Sequence, residues 1–285
     1  MTKTEKYFLS ADNKTNIRYN EWKGEDEPCG IFMMIHGVAE HIDRYDELAQ
    51  TMVGEGYICC GADNLGHGKS GEIGYTPAYA DKYFVEDAKK LYDTVKSEYP
   101  SLPIILFGHS LGSCIARIMI QQYDLDLKAL ILCGTGHLPG IARLAIPVFR
   151  KQQTSRETVK NSIPLSWLSY DKSNREAYAQ DPLVAHTTTK GFQASANLTV
   201  AEACKPGWAN RLPDNTPVLI ISGVNDPFGI HCKGPKRVGK DLRRSGVKNV
   251  TVTLYKNAKH EILNEGNVKK EVLKDIAGWI KRLDW

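Results

Sequence analysis

The residues Gly108-His109-Ser110-Leu111-Gly112 set a serine between two glycines, where an apolar run, Ile104 to Phe107, meets a segment of helical pattern starting at Leu111. A sharp strand-to-helix turn lifts such a serine out of the chain as a nucleophile, and the glycines are needed because the turn is strained and crowded. A hydroxyl attacks poorly unless a base takes its proton and a third group orients the base. Candidates for both follow in the order Asp, His: Asp226 just past the apolar run Val218 to Ile221, and His260 just past the run Val250 to Tyr255. Each stands at the carboxyl end of an expected strand, where open α/β sheets hold their ligands. The oxyanion of an acyl-transfer step needs backbone N–H donors. Leu111 offers one, and Val38 in His36-Gly37-Val38-Ala39 offers the second, with Gly37 letting the backbone come close. The plainer alternatives are a tight turn at Ser110 or at His36-Gly37, a helix-capping Asp226 and a surface His260.

These residues need a frame, and the sequence predicts one. Gly30 to Ile35 is a continuous apolar run, as are Tyr57 to Cys60, Ile104 to Phe107, Ala129 to Cys133 and Val218 to Ile221. Runs of this kind mark strands buried on both faces. Tyr7 to Ser10 and Ile17 to Trp22 read as short edge strands, and Val250 to Tyr255 as a last strand. Segments of helical length lie between them at 45–54, 85–99, 111–122 and 233–245, and an amphipathic helix closes the chain at 268–283. Strand and helix alternating in this way imply a doubly wound α/β sheet. The stretch from Thr135 to about Asn210 breaks the rhythm; it is too long for a plain loop and carries helical patterning, so it is expected to form a helical cap. The expected division is a core of 1–134 and 211–285 with a cap insertion at 135–210.

Composition closes off other classes. The 285 residues hold 37 Lys+Arg against 33 Asp+Glu, a net +4 without a basic run, so nucleic acid is not an expected partner. No apolar run approaches the roughly 18 residues that span a bilayer, and the start lacks a signal-peptide core, which makes the cytoplasm the expected compartment. The seven cysteines contain no C-x-x-C pair, and His260-Glu261 is followed by Asn264 where a zinc motif needs a second histidine, so no metal is expected. Gly68-Lys69-Ser70 is not a phosphate loop, because Asp63 occupies the position that requires glycine.

The whole chain resembles the monoacylglycerol lipase and lysophospholipase-like branch of the α/β-hydrolase superfamily, grouped with serine aminopeptidases. The carriers are His36-Gly-Val-Ala-Glu-His-Ile-Asp-Arg-Tyr45, Asp63-Asn-Leu-Gly-His-Gly-Lys-Ser70, Gly108 to Gly112, Asp181-Pro-Leu-Val184, Asp226 and His260-Glu-Ile-Leu-Asn-Glu265. The resemblance implies the α/β-hydrolase fold and a cofactor-free serine hydrolase of carboxylic esters, with monoacylglycerols or lysophospholipids as substrates. It also implies that Glu40 and Arg44 lie at the polar end of the pocket or brace the oxyanion loop. Bracing is the preferred reading, since residues of opposite charge four apart can pair. Two departures, Val38-Ala39 in place of a glycine-containing pair and Ser113 in place of a second glycine after the elbow, bear on pocket width. The second reading is a proline-type aminopeptidase, which would need cap acids such as Glu157, Glu176 or Glu202 to hold a free amine; a non-catalytic binding module on this fold is the third. The apolar stretch Leu138 to Phe149 is read either as a lid touching acyl chains or a membrane surface, or as plain packing. The oligomeric state is left open.

Overall fold

Each continuous apolar run becomes a strand whose alternate residues enter two different cores. In β3, for example, Ile31, Met33 and Ile35 join one apolar cluster while Phe32 and Met34 join the other. The computed structural model describes residues 1–137, 144–161 and 163–283. Its main sheet contains β1 (Thr2–Leu9), β2 (Asn16–Lys23), β3 (Gly30–Ile35), β4 (Tyr57–Ala62), β5 (Ile104–His109), β6 (Leu127–Cys133), β9 (Val218–Gly223) and β10 (Val250–Tyr255). They lie in the order β1-β2-β4-β3-β5-β6-β9-β10. The pairs β1–β2 and β2–β4 are antiparallel, and the rest are parallel. β2 is therefore an interior strand rather than the expected edge, with β1 covering it; β1 starts at Thr2, five residues before the reading from Tyr7, because its first turn is polar and exposed and carries no apolar signal.

Helices α1 (Asp46–Gly54) and α9 (Lys269–Lys281) pack on one face through Leu48, Met52, Ile276 and Ile280. On the other face lie α2 (Ala80–Glu98), α3 (Leu111–Gln122) and α8 (Lys233–Arg244), contributing Phe84, Leu91, Ile115, Val238 and Leu242. Both layers bury apolar area at about 25 cal/mol per Å², which makes this sheet the rigid part of the molecule.

Between the neighbouring strands β6 and β9 come α4 (Ile146–Gln152), β7 (Thr158–Lys160), α5 (Leu165–Leu168), α6 (Lys172–Gln180), β8 (Thr187–Thr189) and α7 (Lys190–Ala203). The antiparallel β7–β8 pair was not expected; three-residue strands with half their side chains in solvent leave no periodic signal. α7 packs against α3 and α2, and Val200 and Ala203 enter the sheet's own core. Arg117 of α3 secures that end: buried, it donates to the carbonyls of Gly136 and Ala203 and stacks 4.5 Å over the Trp208 ring. α4 buries none of its residues. Leu138 and Ile141, part of the apolar stretch read from the sequence, lie outside the described residues. Among the described residues no helix is long and apolar enough to cross a membrane.

Candidate active site

Four loops leave the carboxyl ends of β3, β5, β9 and β10 on one edge of the sheet, and each brings one expected residue. Ser110 sits between β5 and α3 at φ +53, ψ −117, a conformation that costs an ordinary residue of order 1–3 kcal/mol. Close packing holds it there. A Cβ on Gly108 would lie 2.5 Å from the Gly112 carbonyl oxygen, and one on Gly112 would lie 2.1 Å from that of Ile35, so only glycine lets α3 start against β3. The turn is tied back by Ser110 N–H to the Cys133 carbonyl at 3.0 Å, and Ser113 Oγ donates to the Ser110 carbonyl at 2.6 Å. Ser113 is thus a fully satisfied buried residue beneath the elbow and does not border the cavity beside Ser110.

His260 Nε2 is 2.8 Å from Ser110 Oγ, and its Nδ1 is 3.0 Å from Asp226 Oδ1. With Nδ1–H donated to the carboxylate, Nε2 is free to accept the serine proton. Asp226 is fully buried and is held by Phe228 N–H at 2.9 Å and Ser222 Oγ at 3.2 Å. Burial alone would lower the His260 pKa, but the facing Asp226 carboxylate outweighs it and raises the value above the ordinary 6.5. Conversely, burial would raise Asp226, and His260 with the N–H donors pulls it below the ordinary carboxylate value.

The loop after β3 is built around buried polar groups. His36 Nε2 accepts from Asn64 N–H at 2.9 Å while its Nδ1 meets the Gly37 carbonyl at 2.7 Å, an arrangement that needs the neutral ring; burial lowers its pKa accordingly. Gly37 N–H donates to Glu40 Oε1 at 2.6 Å, and Tyr45 hydroxyl donates to the same oxygen at 2.8 Å. Arg44 Nε reaches Glu40 Oε2 at 3.2 Å, and Arg44 also pairs with Glu261 at 2.5 Å. Burial would raise the Glu40 carboxyl, yet His109, 3.0 Å away, and Arg44 hold it well below the usual range. Neither Glu40 nor Arg44 borders the cavity at Ser110; both touch the loop that carries Val38. Ala39 has φ +66, and its carbonyl accepts from Ala185 N–H at 2.9 Å, so the loop is also tied to the segment between α6 and β8.

A cavity of about 200 Å³ opens beside Ser110, Val38 and Leu111. Ile163, Trp167, Phe192, Val200 and Phe228 give it an apolar wall, and Asn161, Gln193 and Asn197 add amides. Among the described residues its only acid is Asp226. Glu157, Glu176 and Glu202 pair instead with Lys190, Lys172 and Lys205. No group of three His, Cys, Asp or Glu among the described residues could hold a metal ion. Sequence reasoning missed the support behind Ser110, His260 and Asp226: His109, whose Nε2 lies 3.3 Å from the His260 carbonyl, and the buried Glu265. Only the charges in the apolar tail Glu261-Ile-Leu-Asn-Glu265 hinted at it, since an acid there must find donors on folding.

Residues 26–267 match the family profile described as serine aminopeptidase, S33. The chain is 28% identical, over 98% of its length and 97% of the other, to the monoacylglycerol lipase of Mycolicibacterium smegmatis. It is 30% identical to the monoglyceride lipase homolog of monkeypox virus, with 91% of this chain and 92% of that protein covered. Among solved structures, a highly thermostable carboxyl esterase from Bacillus coagulans in complex with glycerol superposes with a TM-score of 0.90 at 27% identity, covering 99% of each chain. The matches run along nearly the whole sequence, and the chain belongs to the serine aminopeptidase S33 family, on the monoacylglycerol lipase-like branch of the α/β-hydrolases.

Proposed function

We propose that this carboxylic ester hydrolase cleaves monoacylglycerols or lysophospholipids through Ser110, His260 and Asp226. One observation carries the reading: Ser110 Oγ, 2.8 Å from His260 Nε2, faces a cavity walled mainly by apolar side chains. Ser110 Oγ attacks the ester carbonyl as its proton passes to His260 Nε2; Asp226 stabilises the imidazolium; the N–H groups of Val38 and Leu111 receive the oxyanion, helped by the amino end of α3. His260 returns the proton to the departing alcohol, and water attacks the acyl-serine by the same path in reverse. The apolar wall suits the acyl chain, and the amides suit hydroxyl or phosphodiester oxygens of the head group. Among the described residues a free substrate amine finds no unpaired acid there, which weighs against the aminopeptidase reading.

The cap is the proposed route of lipid entry. Leu144 is 78% exposed and Val148 52%, and Leu165, Tyr170 and the cavity-wall residue Trp167 are exposed as well, an arrangement that suits contact with a lipid surface rather than packing. Seven free thiols fit a reducing cytoplasm. Ser110→Ala is expected to abolish both fluorophosphonate labelling and p-nitrophenyl ester hydrolysis, a loss of about 10⁴-fold or more; full residual activity overturns the mechanism. Turnover of monoacylglycerol, lysophospholipid and Pro-naphthylamide, measured side by side, separates the substrate readings.

A further inference from the structure

His260 is carried by a loop whose charged residues Lys259, Glu261 and Glu265 each bond to the segment 166–174. Lys259 Nζ donates to the Ser166 carbonyl at 2.6 Å, Glu261 N–H to the Leu168 carbonyl at 2.8 Å, and Glu261 Oε2 accepts from Asn174 Nδ2 at 2.8 Å. Glu265 completes the clasp. Its carboxylate is fully buried, and Oε1 accepts from Ser169 Oγ at 2.7 Å, Tyr170 N–H at 2.8 Å and Asp171 N–H at 3.0 Å. Oε2 accepts from Lys259 N–H, the residue before His260, at 3.2 Å. Neighbouring Gly266 stands so close that a Cβ would lie 2.3 Å from Asp171 Oδ2. Between Ser166 and Leu168 stands Trp167, part of the cavity wall.

We infer that Glu265 is a positioning residue: its carboxylate locks the His260 backbone to the segment 166–171, so the wall residue Trp167 and the catalytic base move as one body. The inference rests on the proposed role of His260. Four donors on a buried carboxylate fix its place, because releasing any of them inside the protein leaves a polar group unpaired. A general base must be held within about 0.5 Å of its working position, and a misplacement of about 1 Å costs about 100-fold. Among the described residues, Glu265 is the side chain that bonds at once to the backbone beside His260 and to the turn that starts α6.

The test compares Glu265→Gln and Glu265→Ala with Asp87→Asn in a p-nitrophenyl ester assay. Asp87 is a buried carboxylate far from the site; it accepts from Ser10 Oγ and Ala11 N–H. Glu265→Gln, which keeps the size but turns an N–H₂ toward donors, is expected to lower kcat and the rate of fluorophosphonate labelling about 10-fold with KM within threefold, and Glu265→Ala about 100-fold. Asp87→Asn keeps the wild-type kcat. Trp167→Ala combined with Glu265→Gln should lose less than the product of the single effects. Wild-type kcat and labelling in folded Glu265→Gln, or strict additivity with Trp167→Ala, overturns the inference. Should Glu265→Ala fail to fold, the Gln variant decides alone. Activity surviving in Ser110→Ala would instead overturn the triad reading, so the two failures are distinct.

Discussion

β5 and α4 are both rich in apolar side chains, and they use them in opposite ways. Every residue of β5 is buried, Phe107 packing against Phe32 with ring centroids 5.8 Å apart. α4 buries nothing, and Val148 and the preceding Leu144 face outward. The sheet spends its apolar surface on rigidity, which the elbow requires because the Ser110 backbone is strained. Among the described residues the insertion keeps part of its apolar surface exposed, which is useful only if something else covers it. Changes in the sheet and its loops should therefore alter chemistry or stability for all substrates, and changes on α4 should alter only what arrives from a lipid phase.

The largest effect tests the sheet side. Asp226→Asn leaves a ring partner of similar shape but withdraws the charge that stabilises the imidazolium, and kcat for any ester is expected to fall about 10³- to 10⁴-fold. The pH profile should move as well. The facing Asp226 carboxylate raises the His260 pKa, so under the proposed mechanism activity is expected to climb as pH rises through a value above 6.5, where the ring becomes a free base. Without Asp226, burial is left to act against the charged ring, and the acid limb of the residual activity should shift to lower pH. An acid limb that stays in place or moves up would show that another group sets it.

Next comes a matched deletion in the two regions. Phe107→Ala removes a fully buried ring and is expected to cost about 3–5 kcal/mol, read as a lowered urea midpoint. Val148→Ala, half exposed, should stay within about 0.5 kcal/mol. Comparable losses at both would mean that α4 is covered by the protein itself. Function should divide the other way. Leu144→Ser with Val148→Ser is expected to slow hydrolysis of monoacylglycerol in vesicles about 5- to 10-fold, from the lost transfer of two part-exposed apolar chains, and to leave p-nitrophenyl acetate unchanged.

The same contrast explains what could be read in the sequence. β3, β10 and α3 have the limits expected of them: β3 is buried on both faces and so is a continuous apolar run with abrupt ends, β10 is a half-buried edge strand in which Val and Thr alternate, and a helix pinned by Gly108 and Gly112 has a fixed start. β7 and β8 left no trace: Thr158–Lys160 and Thr187–Thr189 alternate only over three residues. Ser110, Asp226 and His260 were legible because loop order and motif coincide. Glu265 was not, because its meaning lies in donors more than 90 residues away at Ser169, Tyr170 and Asp171. A single sequence shows which residues are chemically able, and only packing shows which of them hold the others still.

The smallest expected effect lies where the two regions join. Ala39 has φ +66, a left-handed backbone that costs an L-residue roughly 1–2 kcal/mol, and glycine would remove that strain. Glycine would also give the unfolded chain about 0.4–1 kcal/mol more entropy and delete a methyl, worth about 0.8 kcal/mol, that is buried against Ala185 and Phe192. These terms nearly cancel, so Ala39→Gly should change the urea midpoint by less than about 1 kcal/mol in equivalent stability. The carbonyl that accepts from Ala185 N–H is retained, so kcat should hold within about twofold. A larger loss of kcat at unchanged stability would place the rigidity of the oxyanion loop in this one methyl group, wedged between sheet and insertion, rather than in the Glu40 network beneath it.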